Sequence, residues 1–221
     1  MSLSKKILRF YILNRLLIAG LLIVAGILFH LYVDTVMAWL CYIFAFISIV
    51  LYFTIGTMRL VQEAVTEGDV DAAVAYIKMI KYPRLLFKPV RSAYYMLQSN
   101  FSLATEDFST AEENIKKSLK TKSKMVGDTE GISLMQLGFI QIKKGNYKEA
   151  RVTLQEALKA GLPDKESRAA TYLQLCSLEI QRNQNRIAKE YFKKAKAQNP
   201  RSEEIVKQIK MMEKQITRMP G

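Results

Sequence analysis

The chain has 221 residues, of which 50% are hydrophobic and 24% are charged, and its formal net charge is +13. A single histidine and two cysteines exclude histidine-based metal motifs and a disulfide framework, as is usual in a reducing compartment. So strong a positive charge favours a partner of negative charge, such as an anionic membrane surface or a nucleic acid.

Two long apolar stretches lie near the N-terminus, Leu16 to Val33 and Thr35 to Met58, and Asp34 is the charged residue between them. About 20 apolar residues span the hydrocarbon core of a bilayer as a helix. The pattern therefore predicts a transmembrane helical hairpin with spans of about residues 10–33 and 35–58. A cleaved signal peptide is the competing interpretation, but the run is long, lacks a small-x-small cleavage site and is followed at once by a second span.

Lysine and arginine residues precede the first span and follow the second. The flanking bases are Lys5, Lys6, Arg9 and Arg15 before the first span and Arg59, Lys78, Lys81, Arg84, Lys88 and Arg91 after the second. The joint between the spans has neither residue type. Because cationic flanks resist translocation, both termini and the domain that follows the hairpin are predicted to face the cytoplasm. If the organism is a bacterium, the membrane is the plasma or inner membrane.

Small residues within the hairpin predict where its helices touch. Cys41, Ala45 and Ser48 share one face of the second span, and Gly20 and Gly26 offer small surfaces on the first. Small residues let two membrane helices approach closely. We expect these positions to form the contact within one hairpin or between copies of the chain.

The rest of the chain repeats itself with a constant offset, here called the repeat offset. Positions that recur at this offset are Leu137-Gly138 with Leu175-Cys176, Ala150 with Ala188, and Ala157 with Ala195. Two further steps of nearly the same length backwards from Ala150 reach Ala111 and then Ala73. A fixed period of this length is typical of stacked supersecondary units.

The best-formed unit resembles the tetratricopeptide repeat (TPR), a helix–turn–helix of about 34 residues. The residues that carry the resemblance are Leu137-Gly138, Gly145-Asn146-Tyr147, Glu149-Ala150 and Glu156-Ala157-Leu158. In this interpretation Gly138 lets the two helices approach, and Tyr147, Ala150 and Ala157 face inward. The resemblance is strongest over residues 131–200, weaker over 92–125 and weakest over 57–82.

The predicted fold is all-α: a two-helix transmembrane hairpin (1–58), a TPR-like α-solenoid of three to four repeats (59–200) and a C-terminal capping helix and tail (201–221). The first repeat is predicted to start near Thr57, in one helix with the second span. The capping helix carries apolar residues at three-to-four spacing, namely Ile205, Ile209, Met212 and Ile216. A terminal repeat needs such a cover because its outer face has no neighbour.

The resemblance implies a concave groove lined by the first helix of each repeat. The positions carried over are Met96, Asn100, Leu103, Ile132, Met135, Phe139, Ile142, Leu173, Ser177 and Ile180. Of the carboxylate clamp found in chaperone-binding TPR proteins, only Asn100 matches, and Met96 stands where a lysine is expected. A mostly apolar groove for a peptide or an amphipathic helix is therefore predicted, and the C-terminal segment of the chain itself is the alternative occupant.

A basic run and an apolar loop lie outside this groove. Lys116, Lys117, Lys120, Lys122 and Lys124 form a run that is interpreted first as a solvated helix end and second as a contact with an anionic lipid surface. Few aromatic residues interleave with these lysines, which disfavours nucleic acid. The apolar loop Arg84 to Phe87, between Pro83 and Pro89, lies against either the bilayer or the first repeat.

These features predict a membrane-anchored adaptor or assembly scaffold that binds a protein partner and is neither an enzyme nor dependent on a cofactor, a metal or catalytic residues. Homo-oligomers are compatible with it. Two alternatives stay open: an accessory subunit of a membrane transport, secretion or envelope complex in which the hairpin is the working part, and a basic membrane protein that tethers the ribosome or RNA. Binding at high salt would distinguish the ribosome- or RNA-tethering alternative from the adaptor, because phosphate contacts weaken steeply with ionic strength.

Overall fold

The structure, a computed structural model, describes residues 3–32, 35–121 and 129–219, and these hold twelve α-helices and no strand. The helices are α1 (Leu3–Leu13), α2 (Arg15–Tyr32), α3 (Thr35–Thr54), α4 (Met58–Glu67), α5 (Val70–Lys78), α6 (Lys88–Ala104), α7 (Phe108–Lys120), α8 (Thr129–Lys143), α9 (Tyr147–Ala160), α10 (Lys165–Gln181), α11 (Asn185–Ala197) and α12 (Glu203–Thr217). A single 3-10 turn covers Pro83–Leu85 within the same residues. The predicted all-α class is confirmed.

The chain divides into two compact units, Met1–Tyr94 and Tyr95–Gly221. The first contains α1 to α5 and the start of α6, and the second contains the remainder of α6 and all later helices. The domain boundaries predicted after residues 58 and 200 remain predictions.

Helices α2 and α3 are long and apolar enough to cross a membrane, with 18 and 20 residues and mean hydropathies of 2.1 and 2.3. At 1.5 Å per residue they measure about 27 and 30 Å, which matches the hydrocarbon thickness of a bilayer. Large side chains point outward on both helices. The outward face is therefore one that hydrocarbon would solvate better than water.

Small residues line the contact between α2 and α3. Gly26, Ala45 and Ser48 are buried as predicted, and a Cβ at Gly26 would lie 2.6 Å from Cε1 of Tyr42. Gly20 does not contribute to this contact, because no atom comes within 4 Å of its would-be Cβ, and its expected contact between copies of the chain stays a prediction. Ala19 is buried instead, seven residues before Gly26 and therefore on the same helical face.

A left-handed turn, not a continuous helix, joins the second apolar helix to the first repeat. Helix α3 ends at Thr54, Gly56 has a φ of +59°, and α4 begins at Met58. The buried Arg15 donates from Nη1 to the carbonyl oxygens of Leu51, at 3.1 Å, and Gly56, at 3.2 Å. The predicted continuous helix is wrong, since glycine adopts positive φ without strain and the arginine satisfies carbonyls that the break exposes.

The basic N-terminal helix lies beside the first helical pair, α4 and α5. Lys5 Nζ lies 3.0 Å from Glu63 and 3.4 Å from Glu67 of α4, and the Arg9 guanidinium stands 5.3 Å from the centre of the Tyr76 ring on α5. These contacts connect α1 to α4–α5 independently of the turn at Gly56.

The second unit is a succession of helical pairs whose crossing points hold small residues. A Cβ at Gly138 would lie 2.6 Å from Cγ of Leu154, which confirms the close approach expected there. Fully buried alanines at the repeating positions are Ala111, Ala150, Ala157, Ala188 and Ala195. Tyr147 was predicted to face inward, which is wrong: it is 44% exposed because it lies at the first residue of α9, before the helix meets its neighbour.

The C-terminal helix covers the last helical pair. Ile209 and Ile216 of α12 share one apolar core with Leu173 and Cys176 of α10 and Phe192 of α11, and Ile205 and Met212 pack against it. The predicted apolar stripe of α12 is thus the face that packs on α10 and α11.

Candidate functional site

A cavity of about 270 Å³ lies on the side of the second unit formed by α6, α8 and α10. Its lining consists of Met96, Asn100, Ile132, Met135, Gln136, Phe139 and Gln174. We call this space the groove cavity. Five of the ten predicted groove residues line it, and they come from the first helices of two successive repeats.

Helical periodicity explains how these side chains reach one space. Ile132, Met135 and Phe139 lie at three-to-four spacing on α8, and Met96 and Asn100 are four residues apart on α6. Side chains at these separations share one face of a helix. The lining is therefore set by two helix faces that meet, not by a loop.

Amide groups at the base of the groove cavity bind each other between repeats. Gln136 Nε2 donates to Asn100 Oδ1 at 2.5 Å and lies 3.4 Å from Ser99 Oγ. Ser99 in turn donates to the carbonyl oxygen of Ala111 at 2.8 Å. Asn100, the residue that matched the carboxylate clamp, is thus engaged with the next repeat.

The character of the lining is apolar and adaptable. Thioether, aliphatic and aromatic side chains provide most of it, and methionine adapts its shape to different apolar partners. The Lys143 ammonium stands 5.4 Å from the centre of the Phe139 ring, so a cation lies beside the apolar surface. Among the described residues that line the cavity none is titratable, which suits recognition and offers no acid, base or nucleophile.

The other five predicted groove residues lie elsewhere. Leu173 and Ser177 line a second cavity of about 300 Å³ between α10 and α12, together with Gln174, Gln208, Met211, Met212 and Gln215. Gln174 lines both cavities, so the two adjoin. The remaining three, Leu103, Ile142 and Ile180, pack against the apolar cores of the repeats. Leu173, Ser177 and Ile180 deviate because α12 covers the C-terminal part of the groove face, a contact that the repeat pattern does not contain. Leu103 packs instead on α7 and α8, and Ile142 on α9 and α10.

Two glutamines in the groove cavity were not predicted. Gln136 and Gln174 are separated by the repeat offset, like their neighbours Leu137 and Leu175, and occupy equivalent places on α8 and α10. Leu173, which was predicted instead of Gln174, is buried in the core beneath α12. The repeat offset alone could have paired Gln136 with Gln174. Whether Leu173 or Gln174 faces the cavity depends on the rotation of α10 about its own axis, which only the structure provides.

The lysine run is partly neutralised by glutamates on the same helix. Lys116 Nζ lies 2.6 Å from Glu112, and Lys117 Nζ lies 2.7 Å from Glu113. Hydrogen bonds from Lys116 and then Lys144 hold the pKa of Glu112 below its ordinary value of 4.5. Lys120 is exposed at the end of α7, and Lys122 and Lys124 lie outside the described residues. Contact of this run with an anionic surface stays a prediction.

No group of three or more histidine, cysteine, aspartate or glutamate side chains in the described parts of the chain is placed to hold a metal ion. The two thiols, Cys41 and Cys176, are free. Within the described residues the groove cavity is the space whose lining matches the positions predicted to bind a partner.

The second unit consists of paired helices with small residues at each crossing, and the pairs are stacked so that their first helices line a cavity. This arrangement is an α-solenoid of the kind that serves as a protein-interaction scaffold. Residues 132–160, which span most of α8 and α9, match the tetratricopeptide repeat family. The match confirms the resemblance that the sequence pattern predicted for this part of the chain.

A solved structure described as "Functional Characterization of Pseudomonas Aeruginosa pilF" is similar in fold. The TM-score is 0.54 with 10% sequence identity, over 91% of this chain and 87% of that chain. At this identity the likeness concerns the fold, and it supports the TPR-type solenoid. A comparison with curated protein sequences gives no match.

Proposed function

We propose that this protein is a membrane-anchored TPR adaptor or assembly scaffold that binds an apolar peptide or an amphipathic helix of a protein partner in the groove cavity. The observation that carries the proposal is the convergence of Met96, Ile132, Met135 and Phe139 on one space of about 270 Å³. An amphipathic helix recognises such a surface through apolar residues at i, i+3/i+4 and i+7. Helix α12 lines the adjoining cavity, and the described lining of the groove cavity includes no residue of α12, which supports binding of a partner there.

Anchoring by α2 and α3 is supported by their length, their mean hydropathy and their outward-facing large side chains. The contact of Arg15 with Leu51 and Gly56 supports a common end of the hairpin for the bases that precede α2 and those that follow α3. The positive-inside rule then orients this end, and with it both termini, toward the cytoplasm. In this arrangement residues 1–58 anchor the chain, 59–200 form the solenoid and 201–221 cap it.

The groove is tested with a displayed library of amphipathic helical peptides, selected on the full chain in lipid nanodiscs. Binding of the selected peptides is measured by fluorescence anisotropy for the wild type and for the Met135→Glu and Phe139→Glu variants. A carboxylate in an apolar contact is costly to desolvate, so both variants should bind at least about tenfold more weakly, or about 1.4 kcal/mol.

Val152→Glu is the matched control, because Val152 is 51% exposed on α9 and lines neither cavity. It should bind the selected peptides like the wild type. Equal affinity of the wild type and both groove variants would overturn the groove, and so would an equal loss in all three variants.

The anchor is tested separately by extraction of membranes with alkaline carbonate and by reporter fusions after Gly221. We expect the chain to stay in the membrane fraction and a fluorescent protein, which matures in the cytoplasm, to be active there. Release by carbonate would overturn the membrane anchor, and activity of a fused periplasmic phosphatase would overturn the orientation.

A further inference from the structure

An exposed apolar loop lies at the end of α3. Residues 79–88, here called the interfacial loop, connect α5 to α6 and belong to the first compact unit. Leu85 is 55% exposed and Phe87 52% exposed, and Met79 and Tyr82 are exposed to a similar extent. Four large apolar side chains in ten residues are thus about half exposed to solvent, a pattern that marks an interaction surface.

Specific contacts fasten this loop to the last turn of the apolar helix. The Phe87 backbone N–H donates to the carbonyl oxygen of Thr54 at 2.9 Å, so it satisfies a group that the end of α3 would leave unpaired. The rings of Phe53 and Tyr82 lie 6.2 Å apart, and Leu86 is buried. One side of the loop therefore packs inward while Leu85 and Phe87 point away.

The same segment is uniformly basic. Residues 78–91 contain Lys78, Lys81, Arg84, Lys88 and Arg91 and no aspartate or glutamate. Arg91 Nη1 donates to the Arg84 carbonyl oxygen at 2.9 Å and holds the loop in shape. No ion pair in the described parts of the chain includes Lys81, Arg84 or Lys88. Their charge is therefore available to anions, unlike that of Lys116 and Lys117.

The loop presents exposed aromatic and aliphatic side chains beside lysine and arginine side chains that form no ion pair among the described residues. It lies at the end of a helix that can span a bilayer. This combination matches the chemistry of the membrane interface. Aromatic residues favour the headgroup level, and a lysine or arginine near an anionic leaflet is attracted to it electrostatically. A protein partner would need acidic and apolar groups in the same pattern, whereas the bilayer that surrounds α3 already provides both.

We propose that the interfacial loop is a second membrane contact, in which Leu85 and Phe87 insert at the headgroup boundary and Lys81, Arg84 and Lys88 bind the headgroups of anionic phospholipids. This inference rests on the proposed membrane anchoring of α2 and α3. It assigns to the loop the role of holding α4 and α5 against the leaflet, next to the turn at Gly56 where the helix is broken.

The test uses tryptophan quenching by brominated phosphatidylcholine in vesicles with about 30% phosphatidylglycerol. The chain has one tryptophan, Trp39, near the start of α3. The wild-type indole therefore reports insertion of the hairpin. In a Trp39→Phe background, Phe87→Trp reports the loop, and Val152→Trp on α9 is the exposed control.

We expect strong quenching of the wild type and of the Phe87→Trp variant, several times that of the Val152→Trp variant. Quenched Trp39 with an indole at position 87 no more quenched than at position 152 would overturn the interfacial loop and leave the anchor intact. If Trp39 were not quenched either, both the anchor and the loop contact would be overturned.

The contact of the three bases with anionic headgroups is tested separately. Replacing Lys81, Arg84 and Lys88 together by glutamine should abolish the increase in quenching at position 87 that phosphatidylglycerol causes relative to pure phosphatidylcholine. The matched control replaces Lys193, Lys207 and Lys210, exposed on α11 and α12, by glutamine. An unchanged phosphatidylglycerol effect in the loop variant, or an equal loss in the control, would overturn the specific role of the three bases.

Discussion

Arg151 and Glu179 form an ion pair that joins two successive repeats. Arg151 Nε donates to a carboxylate oxygen of Glu179, and Arg182 Nη1 donates to the other oxygen at 3.2 Å. The Glu179 side chain is fully buried, while the two guanidinium groups are partly exposed. The carboxylate is thus withdrawn from water between α9 and α10 and is compensated on both sides.

The junction one repeat earlier is also an ion pair, with a glutamate on the second helix and a lysine at the end of the next first helix. Glu112 directly follows Ala111 as Arg151 follows Ala150, and it bonds Lys144, which precedes Arg182 by the repeat offset. In both cases the second helix of one repeat is joined to the first helix of the next. At each junction the residue on the second helix, Glu112 or Arg151, therefore carries the charge opposite to that of its partner in the next repeat.

Replacing Glu179 by glutamine should loosen the junction between α9 and α10. The variant leaves two arginines facing each other without a carboxylate, and because both are partly exposed the cost should be on the order of 2 kcal/mol. Hydrogen exchange measured by mass spectrometry on the full chain should show faster exchange in α9 and α10 than in the wild type.

The control for this prediction is Glu190→Gln. Glu190 lies 4.0 Å from Arg186 in a pair that is mostly exposed to water, and such pairs contribute little. Exchange in the control should equal that of the wild type. Unchanged protection of α9 and α10 in Glu179→Gln would contradict a stabilising role for the buried pair.

The junction at Glu112 should make the second unit sensitive to acid. Hydrogen bonds from Lys116 and Lys144 hold the pKa of Glu112 below 4.5 in the folded state. Stabilisation from this carboxylate is therefore complete above pH 4.5 and is lost as the pH falls through the lower folded value. Thermal melting of Glu112→Gln should show a smaller decline across this range, whereas Glu113→Gln, whose carboxylate is exposed, should follow the wild type.

Backbone crowding explains why the repeat register could be predicted from the sequence. Where two helices cross closely only a small residue fits, so small residues such as Gly138, Ala150 and Cys176 recur at a fixed offset. The resemblance to the repeat family then placed Met135 and Phe139 on the groove face of α8. The family match over residues 132–160 covers the unit in which these residues were most regular.

Contacts between distant segments explain what could not be predicted. The burial of Leu173 depends on α12, which comes later in the chain and is not a repeat. The break at Gly56 depends on Arg15, which reaches it from the other arm of the hairpin. A one-dimensional pattern contains neither contact, because each requires two elements to be placed in space first.

Gly138→Ala should destabilise the crossing of α8 and α9. The new methyl group would lie 2.6 Å from Cγ and Cδ2 of Leu154, and overpacking of this kind costs about 1–3 kcal/mol, more than the helix propensity gained. Hydrogen exchange in α8 and α9 should accelerate. Gly20→Ala is the control, since nothing lies within 4 Å of its Cβ, and equal protection of α8 and α9 in both variants would contradict the close approach.

Cys176 should be unreactive in the folded chain. Burial raises the pKa of its thiol from 9.0 to about 11, so the thiol is neutral and shielded at pH 7, and thiolate is the reactive form. In a Cys41→Ser background, N-ethylmaleimide should modify the protein only after denaturation. Because the pKa of this thiol is higher in the folded chain, its contribution to the free energy of unfolding is complete below pH 9.0 and is lost as the pH rises toward about 11. The Cys176→Ala variant should therefore lose less stability than the wild type over that range. Complete labelling at neutral pH with native helicity would show that α10 and α12 open far more readily than their shared core implies.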